Sequence, residues 1–287
     1  MKRHILHGSI LFLLAAFVLL PAVFTACGSK PPIAGLERAI KKNVRLEGVD
    51  VGGLTESEAR KKIQEHAASV DAQPRDAVLG KSTWEVEQEE QPGRKVNVDS
   101  TLRSLMSAQE GDSVKLVVED VPAQVTSQKL NDNVLTISNY STPLLDTTES
   151  RVNNIQISAD RINGVKLAPG DEFSFNGTIG RRTEEKGYEW APIIVRTEDG
   201  SKKGYGRGGG ICQLASTLYN AAEKAGLEIT ERHMHSKDVG YVPEGKDATV
   251  SYGSVDLKFR NTRKYPVMIR AYVGPKTLTI SFLENRN

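Results

Sequence analysis

The stretch Gly204-Tyr-Gly-Arg-Gly-Gly-Gly-Ile-Cys-Gln-Leu-Ala-Ser-Thr-Leu-Tyr-Asn220 decides how this chain is read. Its first half is dominated by glycine, and its second half contains neither glycine nor proline. Leu214, Leu218, Ala221, Ala222 and Ala225 fall on one face of a helix predicted from Gln213 to Ala225, with Gly226 as its C-terminal stop. Cys212 is therefore expected at a helix N-terminus, directly after a glycine turn. Unpaired amides and the helix dipole favour an anion there and draw a thiol pKa below its free value of ~8.5. Gly209 and Gly210 let the backbone approach a substrate closely, and amides near Cys212 are placed to hold an oxyanion. Gln213 adds a candidate side-chain donor, and Arg207 suits bidentate binding of a substrate carboxylate. The plainer alternative is a glycine turn beside a buried structural thiol.

Histidine supplies the next clue. Two of the five lie near the N-terminus, His66 belongs to a separate predicted helix, and His233 and His235 follow about twenty residues beyond Cys212. A helix, a turn at Gly226 and a return strand from Leu227 would carry Arg232 to His235 back beside the helix start. On a strand His233 and His235 would share a face. Either can act as general base and then general acid, with Asp238, Asp247 or Asp256 orienting its second nitrogen; Asp247 is carried in the candidate catalytic set. Zinc held by Cys212, His233 and His235 would lack an evident fourth ligand, so neither a metal nor another cofactor is expected. Ser216, one turn beyond Cys212, lacks a glycine elbow to present it as a nucleophile. Asn176, Gly180 and Arg181 are candidates for lining the cleft, whereas Tyr219 and Asn220 are read as helix-face residues.

Across all 287 residues, 38% hydrophobic and 26% charged content describe an ordinary globular chain. The N-terminus departs from that average. Lys2, Arg3, His4 and His7 precede an uncharged apolar run from Ile10 to Phe24, short for a membrane span of ~20 residues but suited to a secretory leader. Its end, Phe24-Thr25-Ala26-Cys27-Gly28, resembles a bacterial lipoprotein signal with Phe24 in place of the usual Leu. Cleavage after residue 26 would leave Cys27 acylated, anchoring the protein to the outer face of the cytoplasmic membrane. Removing Lys2 and Arg3 balances the remaining basic residues against the 36 acidic ones, which removes the electrostatic case for nucleic acid as a partner. With Cys27 lipidated, Cys212 is an unpaired thiol in an exported protein, either inert through burial or used for its reactivity.

The fold class expected is α+β in two domains, a small α+β N-terminal domain and a β-rich second domain built around the helix that starts at Cys212. The boundaries read as 1–26 for the leader, 27–43 for a tether containing Pro31 and Pro32, 44–131 for the first domain and 132–287 for the second. In the first, a strand from Val44 to Val51 meets Gly52-Gly53, and Thr55 with Glu58 forms a capping box for a helix to about His66. Ala59, Ile63 and Ala67 give that helix its buried stripe. Strands are expected at Thr83–Glu87, Lys95–Val98 and Val114–Val118 leading into Val121–Val125, with a helix near Ser100–Ala108. The polar run Ser127–Asp132 is taken as the boundary. In the second domain Val152, Ile155, Ala159 and Ile162 mark a helix capped at Thr147 or Thr148 and stopped by Asn163-Gly164. Val165–Leu167 and Phe173–Phe175 read as a hairpin across Pro169-Gly170, followed by strands at Pro192–Arg196, Thr249–Tyr252, Val255–Arg260, Pro266–Val273 and Leu278–Phe282.

Five ordered blocks carry a family resemblance: Arg161-Ile-Asn-Gly-Val-Lys-Leu-Ala-Pro-Gly-Asp-Glu-Phe-Ser-Phe-Asn176, Gly187-Tyr188, Gly208 to Asn220, Glu231-Arg-His-Met-His-Ser236 and Tyr241-Val-Pro-Glu-Gly-Lys-Asp-Ala-Thr249. Over roughly Ser138 to Arg263 the chain resembles the VanW family, and Val49-Asp-Val-Gly-Gly-Leu-Thr-Glu-Ser-Glu-Ala-Arg60 is similar to the peptidoglycan-binding domain that often precedes it. The resemblance implies a bacterial cell-envelope role, an association with glycopeptide (vancomycin) resistance, and L,D-transpeptidase activity on peptidoglycan stem peptides as reported for some VanW domains. That activity needs a thiol nucleophile, which Cys212 offers, with His233 or His235 moving the proton. The alternatives are a noncatalytic envelope protein that binds stems or glycopeptides, and a peptidase in which water replaces the acceptor amine.

Overall fold

The computed structural model describes residues 38–197 and 200–287. The predicted leader and Cys27 lie outside the described residues. The chain divides into two compact units, one drawn from the described part of Met1–Lys62 together with Asp99–Lys115, the other from Ile63–Val98 and Leu116–Asn287. Among the described residues no helix is long and apolar enough to cross a membrane.

In the first unit the strand expected over Val44–Val51 is instead a short antiparallel hairpin, Arg45–Leu46 against Val49–Asp50. Glu47 and Gly48 both adopt positive φ (46° and 85°), the primed-turn geometry that matches strand twist. Arg45–Leu46 also pairs in parallel with Ser113–Val114. The capping box holds: Thr55 N donates to Glu58 Oε2 at 2.9 Å and Glu58 N to Thr55 Oγ1 at 3.3 Å, opening the helix Glu56–Val70. A second helix, Val98–Ser107, buries Thr101, Leu102 and Leu105.

The second unit begins with two small antiparallel pairs, Val78–Leu79 with Val86–Gln88 and Gly93–Val96 with Val118–Val121. Ser127–Asp132, read from sequence as a polar break, is a short helix whose first turn is closed by Thr126 Oγ1 accepting from Lys129 N at 3.2 Å. The main sheet has four antiparallel strands in the order Val134–Pro143, Thr277–Asn285, Val267–Val273 and Lys166–Leu167. Val134–Pro143 is the longest strand that the sequence reading missed. Two of its buried side chains are hydroxyls, and they bond the cysteine helix: Ser138 Oγ donates to Ala221 O at 2.8 Å, and Thr142 and Thr217 share a hydrogen bond at 2.8 Å. An inward face carrying Ser and Thr has only a faint alternation of polarity.

The hairpin expected around Pro169-Gly170 does not form. Lys166–Leu167 joins the main sheet, while Glu172–Ser174 enters a second sheet in the order Glu172–Ser174, Lys258–Arg260, Glu228–Glu231. The turn still exists, with Gly170 N donating to Asn261 O at 2.7 Å, but it splays its flanks so that Leu167 and Phe173 reach the core from different sheets. Phe173 stacks on Phe259 at 4.7 Å, and Phe259 meets Phe282 edge-on at 5.6 Å, joining the two sheets through aromatic contacts. A separate two-stranded arm pairs Trp190–Thr197, which contains the strand expected at Pro192–Arg196, with Gly200–Arg207, a strand not expected from the sequence. The strand expected at Thr249–Tyr252 does not form: the segment makes only an isolated bridge between Ser251 and Val255, with Tyr252 in a turn.

At the centre lies the helix Ile211–Lys224, with eleven residues from Ile211 to Ala222 buried. This is the β-rich architecture around a helix starting at the cysteine that the sequence pattern predicts. The helix Glu149–Ile162 packs beside it through Ile155, Ala159 and Ile162, and Thr148 is its N-cap residue.

Candidate active site

Cys212 occupies the first turn of the central helix, which starts after Gly210 at φ 104°. The glycine turn is enforced by packing. An added Cβ at Gly209 would stand 2.6 Å from Pro192 O, at Gly208 3.1 Å from Arg182 Cγ, and at Gly210 3.0 Å from Arg151 Cγ. Asn154, fully buried, pins the same turn: its Nδ2 donates to Glu189 O at 3.0 Å and Gly209 O at 3.1 Å, while its Oδ1 accepts from Glu189 N at 2.8 Å. The glycines thus admit a close approach of protein backbone beside the thiol.

One face of the helix then brings the remaining groups to Cys212. Cys212 Sγ lies 3.6 Å from Thr249 Oγ1 and 3.6 Å from Val250 O. Ser216 Oγ donates to Ala248 O at 3.1 Å and accepts from Ala248 N at 2.8 Å, and Asn220 Nδ2 donates to Lys246 O at 2.7 Å. Residues 212, 216 and 220 therefore meet 250, 248 and 246 in turn. Four helical residues rise ~6 Å and two extended residues span ~6.6 Å, so the two repeats stay in step. This stitching positions Asp247, and Asp247 positions His235, whose backbone N and Nδ1 both lie 2.6 Å from Asp247 Oδ2. Arg232 supports the carboxylate's own backbone, Nε donating to Asp247 O at 2.7 Å, with its guanidinium 4.2 Å from the Tyr219 ring centre.

With Nδ1 held by Asp247, Nε2 is the nitrogen of His235 left to interact with the Cys212 thiol. Burial alone would raise the thiol pKa, yet the interaction with His235 and its charge, followed by Val250 O and Thr249, draw it below the ordinary value. Burial would likewise lower the His235 pKa, and Cys212 followed by Asp247 raise it instead. Both shifts favour a thiolate–imidazolium pair. Alkylation of Cys212 by iodoacetamide is accordingly expected to reach half its maximal rate below pH ~8.5, and His235→Ala should move that midpoint upward. Equal midpoints in the two proteins would remove the pair.

The sequence candidates separate on this geometry. Cys212, His235 and Asp247 come together. His233 does not: its side chain is 43% exposed against 10% for His235, and Nε2 lies 3.1 Å from Glu231 Oε1. The two histidines do not share a strand face because the strand ends at Glu231. The hypothetical zinc arrangement of Cys212, His233 and His235 is therefore not assembled. Asp256 accepts from Ser174 Oγ, Asn176 N and Leu257 N, away from the imidazole. Gln213 lacks a spare donor, since Nε2 serves Thr142 Oγ1 at 3.1 Å and Pro143 O at 2.8 Å. Arg207 is turned to Tyr188 O and Glu184 Oε2, both at 2.8 Å. Among the described residues no group of three or more His, Cys, Asp or Glu is arranged to hold a metal ion.

In front of Cys212 opens a cavity of about 1010 Å³, lined by Arg151, Arg182, His235, Tyr241 and Tyr252 among others. Arg181 lines it, whereas Asn176 and Gly180, also expected there, do not; both instead accept from Arg182 Nη1, at 2.7 Å (Asn176 Oδ1) and 3.0 Å (Gly180 O). Arg151, Arg182 and Tyr241 were not singled out from the sequence. The adjacent Gly180-Arg181-Arg182 was the available signal for Arg182. Tyr241 hydrogen-bonds Ser216, and burial holds its phenol far above the ordinary value.

Residues 150–283, which contain the thiol, imidazole and carboxylate described above, match the family model described as "VanW like protein". Residues 40–116 match "Putative peptidoglycan binding domain". Among curated proteins the chain is 42% identical over 166 residues to the uncharacterized protein YoaR of Bacillus subtilis (strain 168), a stretch covering 57% of this chain and 51% of that one. It is 31% identical over 120 residues to the vancomycin B-type resistance protein VanW of Enterococcus faecalis (strain ATCC 700802 / V583), covering 39% and 42% respectively. The chain spans about half the length of the curated relatives it matches. No solved structure matches it. The chain thus carries a VanW-like domain preceded by a segment that matches the peptidoglycan-binding family.

Proposed function

We propose that this protein is an exported cell-envelope acyltransferase of the L,D-transpeptidase type, anchored through lipidated Cys27 and acting on peptidoglycan stem peptides with Cys212 as nucleophile. The observation that carries the reading is the Cys212–His235–Asp247 arrangement at a helix start facing an open cavity. The peptidoglycan-binding-type domain supports the choice of substrate, since it would hold the reaction close to the cell wall.

In this reading the Cys212 thiolate attacks the carbonyl carbon of the third stem residue, forming a C–S bond and an oxyanion at the positive end of the helix dipole; the Ile211 and Gln213 amides are spent on Gly208 O and Gly210 O. His235 gives its proton to the leaving amine as the C–N bond breaks, and the terminal D-residue departs, leaving a thioester. The acceptor amine of a neighbouring stem then attacks the thioester carbonyl, His235 takes the amine proton, and breaking the C–S bond restores the thiolate. Asp247 keeps the imidazole in the required tautomer and supports its charged form throughout.

Incubation of the mature protein with a disaccharide-tetrapeptide should give a thioester on Cys212 by mass spectrometry and a 3-3 cross-linked dimer, with both absent in Cys212→Ala. A tripeptide without cross-link would indicate hydrolysis in place of transfer. Absence of adduct and turnover in folded, reduced protein would leave a noncatalytic wall-binding protein as the reading.

A further inference from the structure

Arg182 lines the same cavity as the nucleophile and forms no ion pair with a carboxylate among the described residues. Its Cβ and Cγ pack against Gly208 in the glycine turn, four residues ahead of Cys212. Nη1 donates to Asn176 Oδ1 at 2.7 Å and to Gly180 O at 3.0 Å, and the guanidinium lies 5.6 Å from the Phe175 ring centre. These contacts fix the plane of the fork but leave Nη2 shut off from solvent with no acceptor. Among the described residues no carboxylate lies within ion-pair distance of Arg182. The nearby acid Asp256 is occupied by three other donors. On the opposite flank of the glycine turn, Arg151 packs against Gly210 and also has a buried Nε without a partner. A buried N–H left without an acceptor is costly to a fold, and Nη2 of the half-buried Arg182 carries that cost beside a cavity where a ligand could supply the acceptor.

The cavity itself is positive. Arg151, Arg181 and Arg182 line it against the acids Asp146 and Asp238, and Asp146 is already engaged by Thr148. Concave walls focus that field on whatever binds next to Cys212.

We infer that Arg182 binds the free terminal carboxylate of the residue that leaves, so that the site reads the end of a peptide chain rather than its interior. This rests on the acyl-transfer reading above. In a peptide whose last amide bond is attacked, the terminal carboxylate is separated from the attacked carbonyl carbon by one nitrogen and one Cα, about 3–4 Å. A guanidinium that lines the same cavity as the nucleophile is placed to reach that carboxylate, whereas carboxylates nearer the sugar end of a stem lie on the far side of the attacked bond. The planar fork takes a carboxylate through paired N–H groups, which gives Nη2 its missing acceptor. A stem extended by one residue, or capped as an amide, removes that anion from the position Arg182 reads.

The test uses Cys212→Ala protein, so that binding is measured without chemistry, and titrates the tetrapeptide stem with a free C-terminus and as its C-terminal amide by calorimetry. The free acid should bind about 10- to 100-fold more tightly, the range of a charge-assisted hydrogen bond. In Cys212→Ala/Arg182→Gln that preference should collapse to within about threefold, and in Cys212→Ala/Arg182→Lys part of it should return. Equal affinity for acid and amide in the Cys212→Ala protein, including no binding of either, overturns the inference, as does a preference that survives Arg182→Gln in protein whose thermal unfolding matches its parent. Formation of a Cys212 thioester in otherwise wild-type protein reports separately on the acyl-transfer reading: adduct without a carboxylate preference rejects Arg182's role alone.

Discussion

His235→Ala should lower kcat/KM for the proposed transfer by about 10²- to 10⁴-fold, while His233→Ala should leave it within about threefold. The two residues flank Met234, two positions apart, yet their surroundings differ completely. His235 is nearly buried, held at Nδ1 by Asp247 and interacting with Cys212. Losing it removes both the proton carrier and the charge that lowers the thiol pKa. His233 is largely exposed against Glu231, and its one contribution to the stitched segment is its carbonyl, which accepts from Thr249 N at 2.8 Å and survives substitution. Steady-state rates with a tetrapeptide donor and a stem-amine acceptor check the pair. Comparable losses in the two variants would mean that the Cys212–His235 contact is not the working one. Asp247→Asn should fall between them, because an amide still accepts from the His235 backbone but no longer supports the imidazolium.

The second large effect concerns folding. Gly209→Ala should destabilise the protein by about 3 kcal/mol, and more if the arm cannot shift, because the new Cβ would meet Pro192 O at 2.6 Å and Ala191 O at 2.8 Å. Both obstacles are backbone, so no rotamer change relieves them. Gly164→Ala is the control: it has φ 81° but nothing within 4 Å, so only the left-handed conformation opposes the methyl, at about 1 kcal/mol. For a unit of this size the difference corresponds to a melting temperature lower by about 4–8 °C in Gly209→Ala than in Gly164→Ala. Equal melting temperatures would show that the arm yields to the methyl and that Gly209 is not required by packing.

Where side chains repeat with a clear period, the sequence reading and the structure agree. Val152, Ile155, Ala159 and Ile162 mark the helix Glu149–Ile162, and Leu214, Leu218 and Ala221 mark the helix Ile211–Lys224. Both bury an aliphatic stripe, and a stripe is visible without knowing what covers it. The failures have a common form. Val134–Pro143 was missed because Ser138 and Thr142 point inward to hydrogen-bond the cysteine helix, which only the helix's position makes worthwhile. Val165–Leu167 and Phe173–Phe175 flank a real turn, but their partners, Val267–Met268 and Lys258–Arg260, are about a hundred residues or fewer downstream in sequence.

By itself the sequence determined the helix that begins at Cys212, the glycine turn before it and the small set of histidines and acids from which its partners come. It did so because capping, glycine conformation and helical period are local properties, fixed by residues a few positions apart. Which histidine reaches the thiol, which aspartate holds that histidine, and the release of Gln213 and Arg207 to structural bonds were decided by the tertiary structure alone. Cys212, Ser216 and Asn220 dock on residues 246–250 at matched spacing, and that docking places Asp247 under His235 while leaving His233 outside. Such a choice depends on hydrogen bonds between segments some thirty residues apart, whose geometry exists only once both have packed against the same core.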